Sequence, residues 1–319
     1  LDLERGEQRA MRLEVSVPGT SANLGPGFDA LGLALDLRTK VSLEFPTGRP
    51  GVRVIGRDAT ILGRTRNLVE DGILRYLMTT GRTLPPYALT VDNRLPVARG
   101  LGGSAAAAVA GLALGAAALG CPLDPARLLP MAVDMEGHGD NVAPAIFGGL
   151  ILVWGKGDGV RARSLPIAES LRTVVFIPDQ TSSTKAARAV LPARIPHADA
   201  VYNVARAALL VDALREGRAD DLREAMSDRL HQPYRLPALP HAPLIDAAIA
   251  AGALGAALSG AGSSLLALCD DSTGPAVAAA MRARAAELGV AGEVVPLAID
   301  RRGLLLTIDG VPQRLIGTA

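Results

Sequence analysis

Apolar and polar positions alternate over 15–17, 41–45 and 52–55, which is the rhythm of short, half-buried strands. Between 67 and 78 the pattern changes: Leu68, Ile73, Leu74 and Leu77 recur at helical spacing. Residues 87–91 return to a strand. A glycine-rich turn, Arg99-Gly100-Leu101-Gly102-Gly103, then runs into an alanine-rich helix from Ser104 to about Leu119, which Gly120 and Pro122 stop. A second helix is predicted over 126–135 and a strand over 146–153. Gly, Arg and Asp dominate 155–170, which reads as a linker. The second half opens with a strand at 173–178, followed by helices near 184–191, 201–215, 218–229, 243–252 and 274–288. Strands at 264–269, 293–298 and 303–308 complete it. Strands and helices mixed in both halves predict an α+β chain of two domains, 1–160 and 161–319.

Composition narrows the function more than the fold. A formal net charge of +1 over 319 residues leaves no electrostatic footprint for nucleic acid and no polybasic membrane patch. Cys121 and Cys269 stand far apart in apolar surroundings, with neither in a Cys-x-x-Cys pair. They read as small buried hydrophobes rather than a disulfide or metal pair. Lysine occurs only at 40, 156 and 185, so few amines are available for catalysis. The first ten residues, LDLERGEQRA, lack an apolar core, and the folded pattern begins near Met11, which argues against a secretory signal and for a cytoplasmic protein. Two uncharged stretches, 100–123 and 247–269, could mimic membrane spans. They are rich in Ala and Gly rather than Leu, Ile and Phe, and closely packed helices of a soluble enzyme explain them better.

The most informative segment runs from Leu95 through Pro96, Val97, Ala98, Arg99, Gly100, Leu101, Gly102, Gly103 and Ser104 to Ala105 and Ala106. Glycines remove Cβ atoms, so backbone N–H groups can close around an anion, and the helix behind adds unpaired amides and a positive dipole end. Together these make a phosphate site. A Walker loop needs Gly-Lys-Ser/Thr, and no lysine is present. Gly100-x-Gly102-x-x-Ala105 fits a dinucleotide fingerprint, but Asp92-Asn93-Arg94-Leu95-Pro96 is a poor leading strand. A plain helix-capping turn is the remaining alternative.

This segment resembles the nucleotide-binding loop of the GHMP kinases, written P-x-x-x-G-L-G-S-S-A-A, with Gly103 in place of the first serine. Three other segments are similar to the homoserine-kinase branch of that family. Residues 18–29, PGTSANLGPGFD, match its N-terminal motif. Residues 136–144, EGHGDNVAP, match E-G-H-P-D-N-V-A-P, with Gly139 replacing proline. Residues 258–264, LSGAGSS, resemble the third GHMP motif, with Ser263 where proline is common. The resemblance implies the two-domain GHMP fold, with a ribosomal-protein-like βαβ N-terminal domain and a ferredoxin-like C-terminal domain. It also implies ATP and Mg2+ as cofactors, L-homoserine as substrate and a homodimer.

Site residues follow from it. The loop residues Pro96 and Ala98–Ala106, with Asn67, would hold the nucleotide, although Asn67 equally suits a helix cap. Ser104 and Glu136 would supply magnesium oxygens. Homoserine is a zwitterion: Asn23 and Asp29 would take its ammonium, and Arg188 and Arg235 its carboxylate, with Thr184 beside them. His138, Asp140 and Asn141 would line the accepting hydroxyl and, with Arg188, form the catalytic set. The spacing of His138 to His197, His231 and His241 does not suit zinc. Whether Asp140 takes a proton stays open, because the resemblance implies alignment and charge neutralisation rather than a dedicated base. Two alternatives remain: another GHMP kinase acting on a mevalonate-like or sugar-like alcohol, and a nucleotide-binding regulator that has lost activity. The second is motivated by Gly103, Gly139 and Ser263.

Overall fold

A computed structural model describes residues 10–315. In chain order the first part holds β1 (Met11–Ala22), β2 (Leu31–Phe45), β3 (Gly51–Gly56), α1 (Ala59–Leu62), α2 (Leu68–Met78) and β4 (Ala88–Asn93). It continues through α3 (Gly103–Ala118), α4 (Pro125–Glu136), α5 (Val142–Phe147), β5 (Leu150–Trp154) and β6 (Arg161–Leu165). Then come β7 (Arg172–Pro178), α6 (Thr184–Ala189), α7 (His197–Glu216), α8 (Ala219–Ala225), α9 (Gln232–Arg235) and α10 (Leu244–Ala250). The chain closes with β8 (Gly255–Leu258), β9 (Leu265–Cys269), α11 (Gly274–Glu287), β10 (Gly292–Leu297), β11 (Leu305–Ile308) and β12 (Val311–Gln313).

The strands form two sheets. An 8-stranded sheet runs β12-β11-β1-β2-β4-β3, with β5 also paired to β2 and β6 to β5, and a 4-stranded sheet runs β10-β7-β9-β8. Among the described residues only β3 and β4 pair in parallel, with the helices α1 and α2 between them as the crossover that parallel neighbours require. β1 and β2 pair from Met11↔Phe45 to Ala22↔Gly32, with a register shift at Pro18/Gly19, where Pro18 has no N–H to give the ladder.

Alternation then builds three cores. Val15, Val41, Leu43 and Leu89 pack under α2, α3, α4 and α5 on one face of the large sheet. On β7, Val174 and Phe176 point to a core with α10 and α11, whereas Val175 and Ile177 point the other way. That second direction meets Leu31, Leu33 and Leu35 of β2, Leu101, and Leu210 and Leu214 of α7. The two sheets therefore share an apolar core, and the glycine turn sits at its edge.

The alanine-rich helix α3 is buried on nearly every side because it packs backbone to backbone with α2. A Cβ on Gly111 would lie 2.1 Å from the Val69 carbonyl oxygen and 2.8 Å from the Gly72 α-carbon. This contact explains the uncharged stretch 100–123. No helix among the described residues is long and apolar enough to cross a membrane.

Several boundaries differ from the sequence reading. The strand expected over 146–153 is the end of α5 and then β5, because Gly148 and Gly149, both at positive φ, break the chain between them. The supposed linker 155–170 contains β6, which joins the large sheet. β11 and β12 also return to that sheet, so its strands come from both sides of a cut at 160/161. Helix α7 starts earlier than expected, at His197, and α8 stops earlier, at Ala225. Strands β8 and β12 and the single turns α1 and α9 were not anticipated. The leader, residues 1–9, lies outside the described residues.

Overpacking a core typically costs about 1–3 kcal/mol. Gly111→Val should therefore lower Tm by roughly 2–5 °C, measured by thermal denaturation. An unchanged Tm would show that α2 and α3 do not depend on this approach.

Candidate active site

A cleft of about 610 Å3 opens where the glycine turn, the end of α4, the turn after β1 and helix α6 converge. That volume lies within the usual range for a small-molecule site. Of the predicted site residues, all but Ala105 and Ala106 line it. Those two are fully buried against the first core, so their side chains cannot reach a ligand; the Ala106 N–H is taken by Gly102 O, whereas the Ala105 N–H is free.

The turn from 98 to 102 is built as an anion cradle. Ala98, Gly100 and Gly102 all have positive φ, so alternate residues swing their N–H groups to a common side. The carbonyls are spoken for: Ser182 N donates to Ala98 O, Ser264 N to Arg99 O, Ser259 Oγ to Gly100 O and Thr20 N to Leu101 O. Gly102 O accepts from Ala106 N. By contrast, the N–H groups of 98–105 make no hydrogen bond to another described residue. Orphan amides at a helix start, with every neighbouring acceptor occupied, are a site for phosphate oxygens. Glycine is required at 100, where a Cβ would lie 2.3 Å from Ser259 O, and at 102, where it would lie 2.0 Å from Thr20 Oγ1.

Arg99 lines the cleft, but its guanidinium is committed to protein. Nε donates to Pro178 O at 2.8 Å, Nη2 to Asp179 O at 2.9 Å, and Nη1 to Asp58 Oδ2 at 3.1 Å and Val97 O at 3.0 Å. The side chain ties the turn to the end of β7, which leaves only the Arg99 backbone N–H for the cleft. Asn67 caps α2 by accepting from Val69 N at 3.0 Å and Glu70 N at 3.3 Å, and it borders the cleft as well.

Beside the cradle, Ser104 Oγ donates to Glu136 Oε2 at 2.6 Å. Burial pushes the Glu136 carboxyl above its ordinary value, while the Ser104 bond and His138 pull it back. One charged and one neutral hard oxygen next to orphan amides fit a small divalent cation that is shared with phosphate.

His138 Nδ1 lies 2.8 Å from Asp140 Oδ1, and that bond outweighs burial to lift the His138 pKa. Asp140 is buried. Asn141 is held by Thr20, whose Oγ1 donates to Asn141 Oδ1 at 2.8 Å, so Nδ2 is turned toward Asp140 Oδ1 at 3.5 Å. Thr20 therefore touches both the cradle and the acceptor side.

Opposite stands a charge cluster. Arg188 donates both terminal nitrogens to Asp29, at 3.0 and 2.8 Å, in a half-exposed bidentate pair. Asn23 Oδ1 accepts from Asp29 N and its Nδ2 donates to Gly260 O, so the amide fixes the turn that presents Asp29. Arg235 is buried, and desolvation and the nearby Arg188 both lower its pKa. The two guanidiniums share the Asp29 carboxylate, and Asp140 lies within the field of both. Thr184, at the start of α6, is exposed beside them.

Sequence reasoning missed Thr20, Ser259, Phe28 and His231. Thr20 and Phe28 lie inside the 18–29 motif, and His231 opens the segment that ends at Arg235, so the motifs themselves were the available signal. The three departures from the family pattern are accommodated. A Cβ on Gly103 would meet nothing nearer than 3.8 Å. At Gly139 it would come within 2.7 Å of a Val153 methyl, so valine side chains fill the space. Ser263 Oγ donates to Gln180 O at 2.7 Å.

Residues 67–149 match the GHMP kinases N terminal domain family and 210–287 match the GHMP kinases C terminal family. A homoserine kinase from Synechocystis is 42% identical over 92% of this chain and 97% of its own length. One from Moorella thermoacetica is 44% identical over 83% of this chain and 91% of its own. The crystal structure of homoserine kinase from Cytophaga hutchinsonii superposes with TM-score 0.84 at 30% identity, covering 96% of this chain and 100% of the other. The structure of L. major mevalonate kinase shares the fold at 17% identity and TM-score 0.70, over 90% of this chain and 95% of the other.

Substitution separates the two glycines of the cradle. Gly102→Ala should weaken ATP binding by about tenfold or more, because the left-handed backbone alone costs roughly 1–2 kcal/mol before the collision with Thr20. Gly103→Ser should bind ATP within about twofold of wild type, since ordinary van der Waals space is available there. Calorimetric titration reads both, and equal affinities for Gly102→Ala and wild type would contradict the cradle geometry.

Proposed function

The chain belongs to the homoserine kinases within the GHMP kinase family, and from that footing we propose that it transfers the γ-phosphoryl group of ATP to the side-chain hydroxyl of L-homoserine, releasing ADP and O-phospho-L-homoserine. The observation that carries this reading is one cleft holding both an amide cradle and a cluster of opposite charges. The cradle suits the polyphosphate. The charges suit an amino acid, with the ammonium beside Asp29 and the carboxylate between Arg188 and Arg235.

In this reading the hydroxyl oxygen attacks the γ-phosphorus as the bond to the bridging β–γ oxygen breaks, and the hydroxyl proton is lost. Phosphoryl transfer through a loose transition state demands little basicity at that oxygen, so alignment contributes most. Asn141, fixed by Thr20, and the His138–Asp140 pair border the acceptor. Asp140 Oδ1 already shares the His138 hydrogen, which argues that proton loss to a product phosphate oxygen or solvent serves as well as a dedicated base. Ser104 and Glu136 would hold Mg2+, whose charge, when bound, neutralises the β- and γ-phosphate oxygens. Cytoplasmic residence and a homodimer are part of the same proposal, and sedimentation tests the latter.

Mevalonate-like and sugar-like alcohols carry no ammonium, so Asp29 paired with Arg188 beside Arg235 would have no common purpose for them. Loss of activity finds no support at Gly103, Gly139 or Ser263, each of which the surroundings accept. A coupled ADP-release assay should give turnover with L-homoserine and none above background with mevalonate or galactose. Turnover restricted to either of those two would overturn the assignment. Glu136→Ala should reduce kcat about 10²–10³-fold, by removing charge stabilisation at the transferred group. Near-normal turnover would remove it from the metal site. Arg188→Lys should raise the homoserine KM about tenfold with kcat less affected, since an ammonium cannot reproduce the planar fork. An unchanged KM would take Arg188 out of the carboxylate site.

A further inference from the structure

Arg235 reaches the cleft from α9, and a guanidinium binds a carboxylate well only when its plane is fixed. Among the described residues its hydrogen bonds run through Nε, to Ala187 O at 3.0 Å, and through Nη1, to Gly260 O at 3.4 Å and His231 Nδ1 at 3.3 Å. Nη2 is left for a ligand. The His231 contact fixes which imidazole is present. Its Nε2 lies 2.9 Å from Gly25 O, a pure acceptor, so Nε2 carries the hydrogen. Guanidinium can only donate, so Nδ1 must present a lone pair. Both contacts hold together only in the neutral ring with hydrogen on Nε2.

The ring has no freedom to do otherwise. His231 is fully buried and stacks on Phe28 at 5.1 Å between centroids, and Arg235 lies over the same Phe28 ring at 5.3 Å. Asp228 Oδ2 accepts from the backbone N–H of His231 and of Gln232, which pins the turn that starts α9.

We infer that His231 is a positioning residue for substrate: as a neutral acceptor at Nδ1 it sets the Arg235 guanidinium for the amino-acid carboxylate. The inference rests on the proposed function, which puts that carboxylate at Arg235. Charged groups around His231 are Asp228 on the turn, Asp29 across the cleft, Arg235 on its own helix and, beyond Asp29, Arg188. Burial outweighs the two carboxylates and lowers the His231 pKa, so the neutral form persists through neutral pH. Protonation in acid would place hydrogen on Nδ1 against Arg235, with like charges in contact.

Two substitutions divide the ring's contacts. Asparagine can place an oxygen near the Nδ1 position while losing the Gly25 bond. Glutamine can keep a donor near Nε2 while losing the acceptor for Arg235. His231→Gln should raise the homoserine KM about tenfold, with kcat and the ATP KM within about twofold, whereas His231→Asn should raise it no more than about threefold. If the histidine serves only to anchor the Gly25 turn, the order reverses, and that result, or no change in either variant, overturns the proposal. Wild-type enzyme gives a readout that does not depend on variant folding. Its homoserine KM should stay flat from neutral pH down through the ordinary imidazole value of about 6.5 and rise only in more acid solution, because burial holds the His231 pKa below that value, while its ATP KM changes little, and a homoserine KM that already rises above that pH also overturns it. Arg235→Lys separates the two levels of inference. If it leaves the homoserine KM unchanged, the carboxylate reading fails. If it raises KM while the His231 variants behave like wild type, only the positioning role fails.

Discussion

The carbonyl groups of 98–102 are all bound by donors from the protein, and everything else in the site depends on that. A peptide unit whose oxygen is held on one side must present its N–H on the other, so the free amides of 99–103, which share peptide units with those carbonyls, are turned away from the holding donors. The holding donors come from separated parts of the chain: Thr20 on β1, Ser182 after β7, and Ser259 and Ser264 between β8 and β9. They can meet at one turn only because the two sheets are joined by an apolar core made from β2, β7, β9 and α7. Sequence thus acts on function through packing. Leucines and valines of that core set where the serine and threonine donors lie, and those donors set which way the glycine turn offers its backbone.

The charge pattern continues the same logic. With no lysine in the turn, phosphate charge is met by amides and a helix end at the cradle. The arginines are used differently. Arg99 is a staple between the turn and the end of β7, and Arg38 is half-buried and paired with buried Asp300. Arg188 and Arg235 border the cleft beside Asp29, and they do so from segments of unequal firmness. Helix α6 buries none of its residues, whereas Arg235 is buried and stacked. The Asp29–Arg188 pair, exposed to about 40% on each side chain, is screened and weakly held, which leaves it open to rearrangement by a zwitterion.

Much of this was legible in the sequence because motifs concentrate chemistry. The glycine turn could be named from residue type and order, and Ser104, Glu136, Asp29 and Arg188 from the motifs that resemble the family; the structure brings them to one cleft. What could not be read were effects of distant neighbours. Ala105 and Ala106 belong to the motif but face the core, since two alanines at a helix start carry no mark of which side is inward. That the Arg99 side chain would be tied to the protein could not be read, because its carbonyl partners at 178 and 179 are far away in sequence. The predicted strand over 146–153 failed because its apolar run fits a buried helix turn equally well until Gly148 and Gly149 are seen to break it. Thr20 and His231 escaped notice because a buried hydroxyl or imidazole acts through geometry that composition does not encode.

Where the amides of 99–103 point decides what the turn can hold, and hydrogen exchange at those positions, followed by NMR with and without saturating ATP, tests it directly. Exchange at these amides should be fast in the free protein, as expected for unpaired groups at a solvent-filled cleft, and should slow markedly with ATP. Protection already present without nucleotide, or exchange unchanged by it, would contradict the account.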